Sequence, residues 1–244
     1  MIKREWWSTR KHLAAAYLAF QVGSACVTAS TVTYEGSSLP ELSGWERVGT
    51  FDANRSIEDG SLVLSVDLGV WGPLPGGEQD FYQRDVSGPG EEPFFLEWRV
   101  ESTAPSTELE GTGGSAVVLS ARYARYHFTI TEDLVRVLRD VTIDPMWISI
   151  EPGIAHVYRL EIPDDTSFQL LIDGDPVLTG TPEGPLGTDT SRLIWGSKMW
   201  NTPSVNTWDY VRYGTMVPEP ATGVMLLAGG AVLALRHRRR RCVA

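Results

Sequence analysis

The 244 residues include 21 Lys and Arg against 31 Asp and Glu, a formal charge of −10, with 42% hydrophobic residues and two cysteines. This length allows a substantial core in one or two domains, and the acidic balance has the wrong sign for nucleic-acid binding. Cys26 and Cys242 lie near the two ends, so the stretch between them holds no disulfide and no Cys-based metal site.

The chain opens with the three parts of a secretory signal. Lys3, Arg4, Arg10 and Lys11 form a basic n-region, residues 13–22 (LAAAYLAFQV) an apolar h-region, and Val27-Thr28-Ala29 supplies small residues before a cut preceding Ser30. Residues 1–29 are therefore expected to be a signal helix cleaved after Ala29, the alternative being an uncut N-terminal anchor. Of the 21 basic residues, four lie here and five lie at the far end, leaving 12. Of the 31 acidic residues, all but Glu5 and Glu219 fall between, leaving 29 and a formal −17 for the middle segment. Such a field favours solubility and repels anionic surfaces.

Residues 30–215 have the size of one domain and the rhythm of strands. In 61–68 (SLVLSVDL), Leu62, Leu64, Val66 and Leu68 share one face; Leu96, Trp98 and Val100 alternate with Glu97, Arg99 and Glu101. Residues 116–120 make a short apolar run. Residues 121–130 (ARYARYHFTI) are expected as one strand, with Ala124, Tyr126, Phe128 and Ile130 on one side and Tyr123, Arg125, His127 and Thr129 on the other. Thr131-Glu132-Asp133 reads as a turn, and Asp173-Gly174 between FQLLI and Pro176-Val177-Leu178 as a tight hairpin, because Asp-Gly takes positive φ readily. Gly- and Pro-rich stretches at 72–77, 87–93, 103–114 and 180–187 read as surface loops, and any helix between them as a single turn. Trp98, Trp195 and Trp208 fall in strand patterns and are expected in the core.

From Val157-Tyr158-Arg159-Leu160-Glu161-Ile162 through FQLLIDGDPVLTG and Leu193-Ile194-Trp195-Gly196 to Trp208-Asp209-Tyr210-Val211-Arg212-Tyr213, the chain resembles the closing strands of concanavalin-A-like jelly rolls of the laminin-G and lectin or glucanase type. The resemblance implies an all-β antiparallel sandwich, an architecture that hosts lectins, glycosidases and adhesive modules alike. The Glu-x-Asp-x-x-Glu string of that fold's glycosidases does not occur here. Glu97 and Glu101 share a strand face roughly 13 Å apart, beyond the usual carboxylate pairs. With only His127 and His156 and no cysteine in the middle segment, triads and zinc sites lack parts. No catalytic residue, metal or cofactor is expected.

Sugar binding is the better reading. Tyr123, Arg125 and His127 on one strand, with Glu97 and Arg99 on another, are expected to line one face with stacking surface and charged hydrogen-bonding groups; a solvated outer face is the alternative. Trp71 and Trp200, the latter beside Asn201, stand in loops as further ligand platforms. A glycoside hydrolase or lyase using Glu97, Glu101 and His127 is the runner-up.

The chain closes with Val217-Pro218-Glu219-Pro220, a charge-free run at 221–235, and Arg236, Arg238, Arg239, Arg240 and Arg241. Fifteen helical residues span about 22 Å, short for a bilayer but able to engage one, and the arginines hold the cytoplasmic side. Residues 216–244 thus resemble the PEP-CTERM sorting signal of exported proteins in exopolysaccharide-producing Gram-negative bacteria. The resemblance implies recognition of Pro218-Glu219-Pro220 by an exosortase-type membrane protease, transient residence in the inner membrane, and delivery to the cell surface or matrix.

Overall fold

The computed structural model describes residues 26–49, 54–66, 78–87, 92–106, 114–121, 124–138, 146–164, 166–181, 191–199 and 204–218. These form fifteen strands and one 3₁₀ turn, Pro40–Ser43, in two sheets. Sheet I contains β1 (Cys26–Glu35), β3 (Asn54–Glu58), β4 (Ser61–Val66), β6 (Phe94–Ser102), β11 (His156–Asp164), β12 (Ser167–Ile172), β13 (Asp175–Gly180) and β15 (Ser204–Pro218). Its order is β13-β12-β11-β6-β15-β4-β3, with β1 also on β15. Sheet II contains β2 (Glu46–Gly49), β5 (Glu78–Asp85), β7 (Gly114–Ser120), β8 (Arg125–Ile130), β9 (Leu134–Leu138), β10 (Met146–Ser149) and β14 (Arg192–Met199), in the order β10-β9-β8-β7-β14-β5-β2. Every registered pair is antiparallel. One compact unit runs Thr28–Met216. Among the described residues no helix is long and apolar enough to cross a membrane; residues 1–25 of the expected signal helix and the run at 221–235 lie outside them, while 26–29, expected as part of that helix, are strand in β1.

Period-two alternation decides the burial. On β6, Phe94, Leu96, Trp98 and Val100 are wholly buried, while Glu97 and Arg99 point outward. The inner faces meet through aromatic rings: Trp98 of sheet I lies 5.4 Å from Phe128 of sheet II, and Trp195 of sheet II 4.9 Å from Trp208 of sheet I. Trp195 also touches Tyr34, Trp45 and Tyr82, with centroids 5.0 to 5.5 Å away. All three expected core tryptophans are buried to 0% exposure, and none of their indole N–H groups finds an acceptor. The rings are therefore held by area and packing alone.

Turn chemistry fixes the hairpins. Asp173 and Gly174 take φ of 52° and 89° between β12 and β13, as their sequence requires. Asp59 and Gly60 repeat the device between β3 and β4, with φ of 50° and 85°. Thr131 closes the β8–β9 turn, its N–H and hydroxyl both donating to the Leu134 carbonyl. The expectation of one strand over 121–130 is corrected: Ala121 and Ala124 exchange backbone hydrogen bonds, so this segment turns the chain from β7 into β8, and the strand begins at Arg125. An alternating pattern gives no sign of where a chain reverses, which is why the sequence concealed it.

Three buried polar groups inside the sandwich do find partners. Arg47 grips the buried Asp80 carboxylate through Nε at 2.7 Å and Nη2 at 2.8 Å, and Asn206 on β15 donates to Ser197 on β14 at 2.8 Å, bonding one sheet to the other. His156, 5% exposed, sits between two acceptors: Nδ1 faces Asp173 Oδ2 at 2.5 Å, and Nε2 faces the Glu151 carbonyl at 2.8 Å. Only the imidazolium donates to both. Burial pulls the His156 pKa down, but these hydrogen bonds outweigh it and the net shift is upward. Burial likewise pushes Asp173 up, and the bonds from His156 and the Val157 N–H bring it below its ordinary value.

A raised histidine stabilises below its unfolded pKa and a lowered carboxylate above its own. The pair is thus fully stabilising between the unfolded values, 3.8 and 6.5. The thermal midpoint should fall as pH rises through the elevated His156 pKa, and His156→Gln should flatten that dependence; an unchanged profile would contradict the doubly bonded imidazolium. In the core, Trp195→Ala should cost about 3–5 kcal/mol by denaturant titration, and Trp195→Phe much less because no indole hydrogen bond is lost.

Candidate functional site

The outward side chains of the two sheets follow different logic. On sheet I, β11, β6, β15 and β1 carry a continuous ladder of opposite charges. Arg159 donates to Glu97 at 3.0 Å and to Glu161 at 2.7 Å, Arg212 pairs with Glu35 at 3.2 Å and reaches Glu97 at 3.8 Å, and Arg99 pairs with Asp209. The guanidinium of Arg212 lies 4.0 Å from the centre of the Tyr210 ring, and that of Arg159 4.7 Å from the Phe95 ring. Burial, with Glu97 alongside, pushes the Tyr210 hydroxyl up to about 12, so it remains a donor at any physiological pH. This face meets its own hydrogen-bonding demand and offers a ligand few open groups.

Sheet II has a different outer face, on which Ala116 and Thr129 are each 1% exposed while Arg125 and Trp147 reach solvent. Register aligns Trp147 on β10, Arg136 on β9, Thr129 on β8, Ala116 on β7 and Gly196 on β14 in one outward row. At ~4.8 Å between strands, small residues fill the middle of that row, with Arg136 and Trp147 at one end and Phe81 on β5 at the other. The Arg136 guanidinium lies 5.4 Å from the centre of the Trp147 indole, which is 39% exposed. Two buried polar atoms here have no partner: Thr129 Oγ1 and Arg136 Nε. Arg125 and His127 project from β8 on the same face.

The expected site residues are thus partly gathered and partly separated. Arg125 and His127 share the outer face of sheet II. Glu97 and Arg99 lie on β6 of sheet I, facing away from it across the core, so the two groups cannot line one surface as expected. For the same reason Glu97, Glu101 and His127, the residues of the hydrolase alternative, do not meet. Tyr123, Trp71, Trp200 and Asn201 lie outside the described residues. Ala29 falls within β1, so a cut before Ser30 would shorten that strand. Sequence reasoning missed Arg136, Thr129 and Trp147 as a group. The one signal for them was the alternation of Val135 and Val137 around Arg136 immediately after a turn.

Val217 and Pro218 are the last residues of β15, while Glu219, Pro220, Arg236, Arg238, Arg239, Arg240 and Arg241 lie outside the described residues. Residues 217–241 match the PEP-CTERM protein-sorting motif. The C-terminus is a sorting signal. By sequence no curated protein matches the chain. In structure, a carbohydrate recognition domain, that of Emp46p in its potassium-bound form, is similar at TM-score 0.52 and 12% identity over 76% of this chain and 97% of its own. A sialidase is similar at 0.54 and 13%, over 79% of this chain and 19% of its own. The binding domain of botulinum neurotoxin DC, solved with rat synaptotagmin II, gives 0.50 and 8%, over 82% and 51%. The chain thus spans about a fifth of the sialidase and half of the toxin domain. At these identities the likeness establishes the fold, a lectin-type jelly roll, and nothing finer.

Glu97 is the hub of the ladder on sheet I. Glu97→Gln should lower stability by about 1 kcal/mol, the scale of a partly exposed ion-pair network, read as a small drop in thermal midpoint; no change would mean that Arg159 and Arg212 are held without it.

Proposed function

We propose that this is an exported, non-catalytic binding module that recognises a glycan or matrix component. It crosses the inner membrane by its signal peptide, is held there briefly by the C-terminal helix, and is processed at Pro218-Glu219-Pro220 by an exosortase-type protease. Its destination is the surface or exopolysaccharide matrix of a Gram-negative cell. The observation that carries this reading is the adjoining of a sorting motif and a lectin-type sandwich: the motif begins at residue 217, within the last strand of the fold. The similarity to a carbohydrate recognition domain along nearly the whole of that domain supports the glycan. The absence of catalysis is supported by the engagement of Glu97 with two arginines and by the separation of His127 from both Glu97 and Glu101.

Intact mass spectrometry on protein recovered from producing cells tests the route. A surface-associated species starting near Ser30 and ending near Pro220 is expected, and Glu219→Ala should leave Arg236–Arg241 attached. A full-length, unprocessed chain dissolved inside the cell would overturn it.

A further inference from the structure

Among the described arginines, Arg47, Arg55, Arg99, Arg159, Arg192 and Arg212 each pair with a carboxylate, and Arg84 donates to the Ser43 carbonyl. Among the described residues Arg125 and Arg136 alone have neither a carboxylate nor a hydrogen-bonded carbonyl, in a segment where acidic residues outnumber basic ones by more than two to one. Both stand on the outer face of sheet II. An arginine's planar fork of N–H groups matches a carboxylate bidentately, and Arg136 is half-buried, with Nε closed to solvent and without an acceptor. Beside it in register, Thr129 is 1% exposed and its hydroxyl is likewise unpartnered. A buried polar atom without a partner costs roughly 1–3 kcal/mol, and the fold bears that cost twice beside a guanidinium whose other nitrogens are not closed off. Flanking both, Trp147 presents an indole for the apolar face of a ring.

We propose that β8, β9 and β10 form a binding site for an acidic sugar. The carboxylate of a uronate unit pairs with the terminal nitrogens of Arg136, and its ring lies against Trp147. Arg125, four residues along β8 and so roughly 13 Å away, meets the charge of a later unit, which favours a polymer over a monosaccharide. The acidic surface elsewhere does not forbid this, because beyond about 8 Å exposed charges are largely screened at physiological salt. The inference rests on the glycan-binding reading and narrows it to one ligand class.

The test uses the full-length chain in detergent micelles, titrated calorimetrically with polygalacturonate, its fully methyl-esterified form, dextran sulfate and a neutral glucan. Polygalacturonate should bind, with esterification weakening it at least tenfold. Arg136→Gln and Arg125→Gln should each weaken it severalfold, while Arg99→Gln on the opposite sheet leaves it unchanged. An Arg136→Gln chain with an unaltered thermal midpoint keeps loss of binding distinct from loss of folding, and Arg136→Lys, which retains charge but not the fork, should recover only part. Equal binding of acid and ester, or binding of the neutral glucan or dextran sulfate without polygalacturonate, overturns the acidic-sugar site and leaves glycan recognition standing. Binding of none of the four overturns both.

Discussion

The packing of two sheets about buried aromatic rings carries the fold, because the segment between the terminal cysteines has no covalent crosslink. Trp195 touches Tyr34, Trp45, Tyr82 and Trp208, and so joins the 3₁₀ region, β5 and both sheets in one cluster. Its N–H is left without an acceptor, a cost that burial of the ring area outweighs. Once those rings are inside, the two-residue period of a strand decides where every neighbour points. The outward residues on β6 and β8 are thereby assigned to opposite surfaces of the molecule.

The two surfaces then divide the work. Sheet I closes upon itself in a ladder from Arg159 through Glu97 and Arg212 to Glu35, which neutralises that face and ties four strands together at the level of side chains. Sheet II differs, with two arginines that pair with no carboxylate beside an exposed indole. Groups that a fold leaves unsatisfied are where an external partner adds most free energy, and this asymmetry separates a structural face from a recognition face.

Much of the fold was legible because alternation and turn chemistry are local. Leu62 and Leu64, the β6 series, the Asp173-Gly174 hairpin and the three core tryptophans could be read directly. The turn at Ala121–Ala124 could not, since an alternating run does not reveal where it reverses. β3 and β10 were too short to show a period. The site was less legible, because a surface is made by register between strands distant in sequence: Arg125 and His127 were identified, but Trp147 and Arg136 join them only through pairing that no spacing displays. Conversely, Glu97 and Arg99 had suitable chemistry, and the sheet they belong to was decided by the order in which strands cross the sandwich.

The sorting motif sets the context for this division, since it starts where β15 stops and consigns a lectin-type fold to export. Hydrogen–deuterium exchange of the full-length chain, with and without polygalacturonate, tests most directly whether recognition belongs to the outer face of sheet II. Slowed exchange is expected in β8, β9 and β10, with β6, β11 and β15 unchanged. Protection confined to β6, β11 and β15 would contradict the assignment of the two faces.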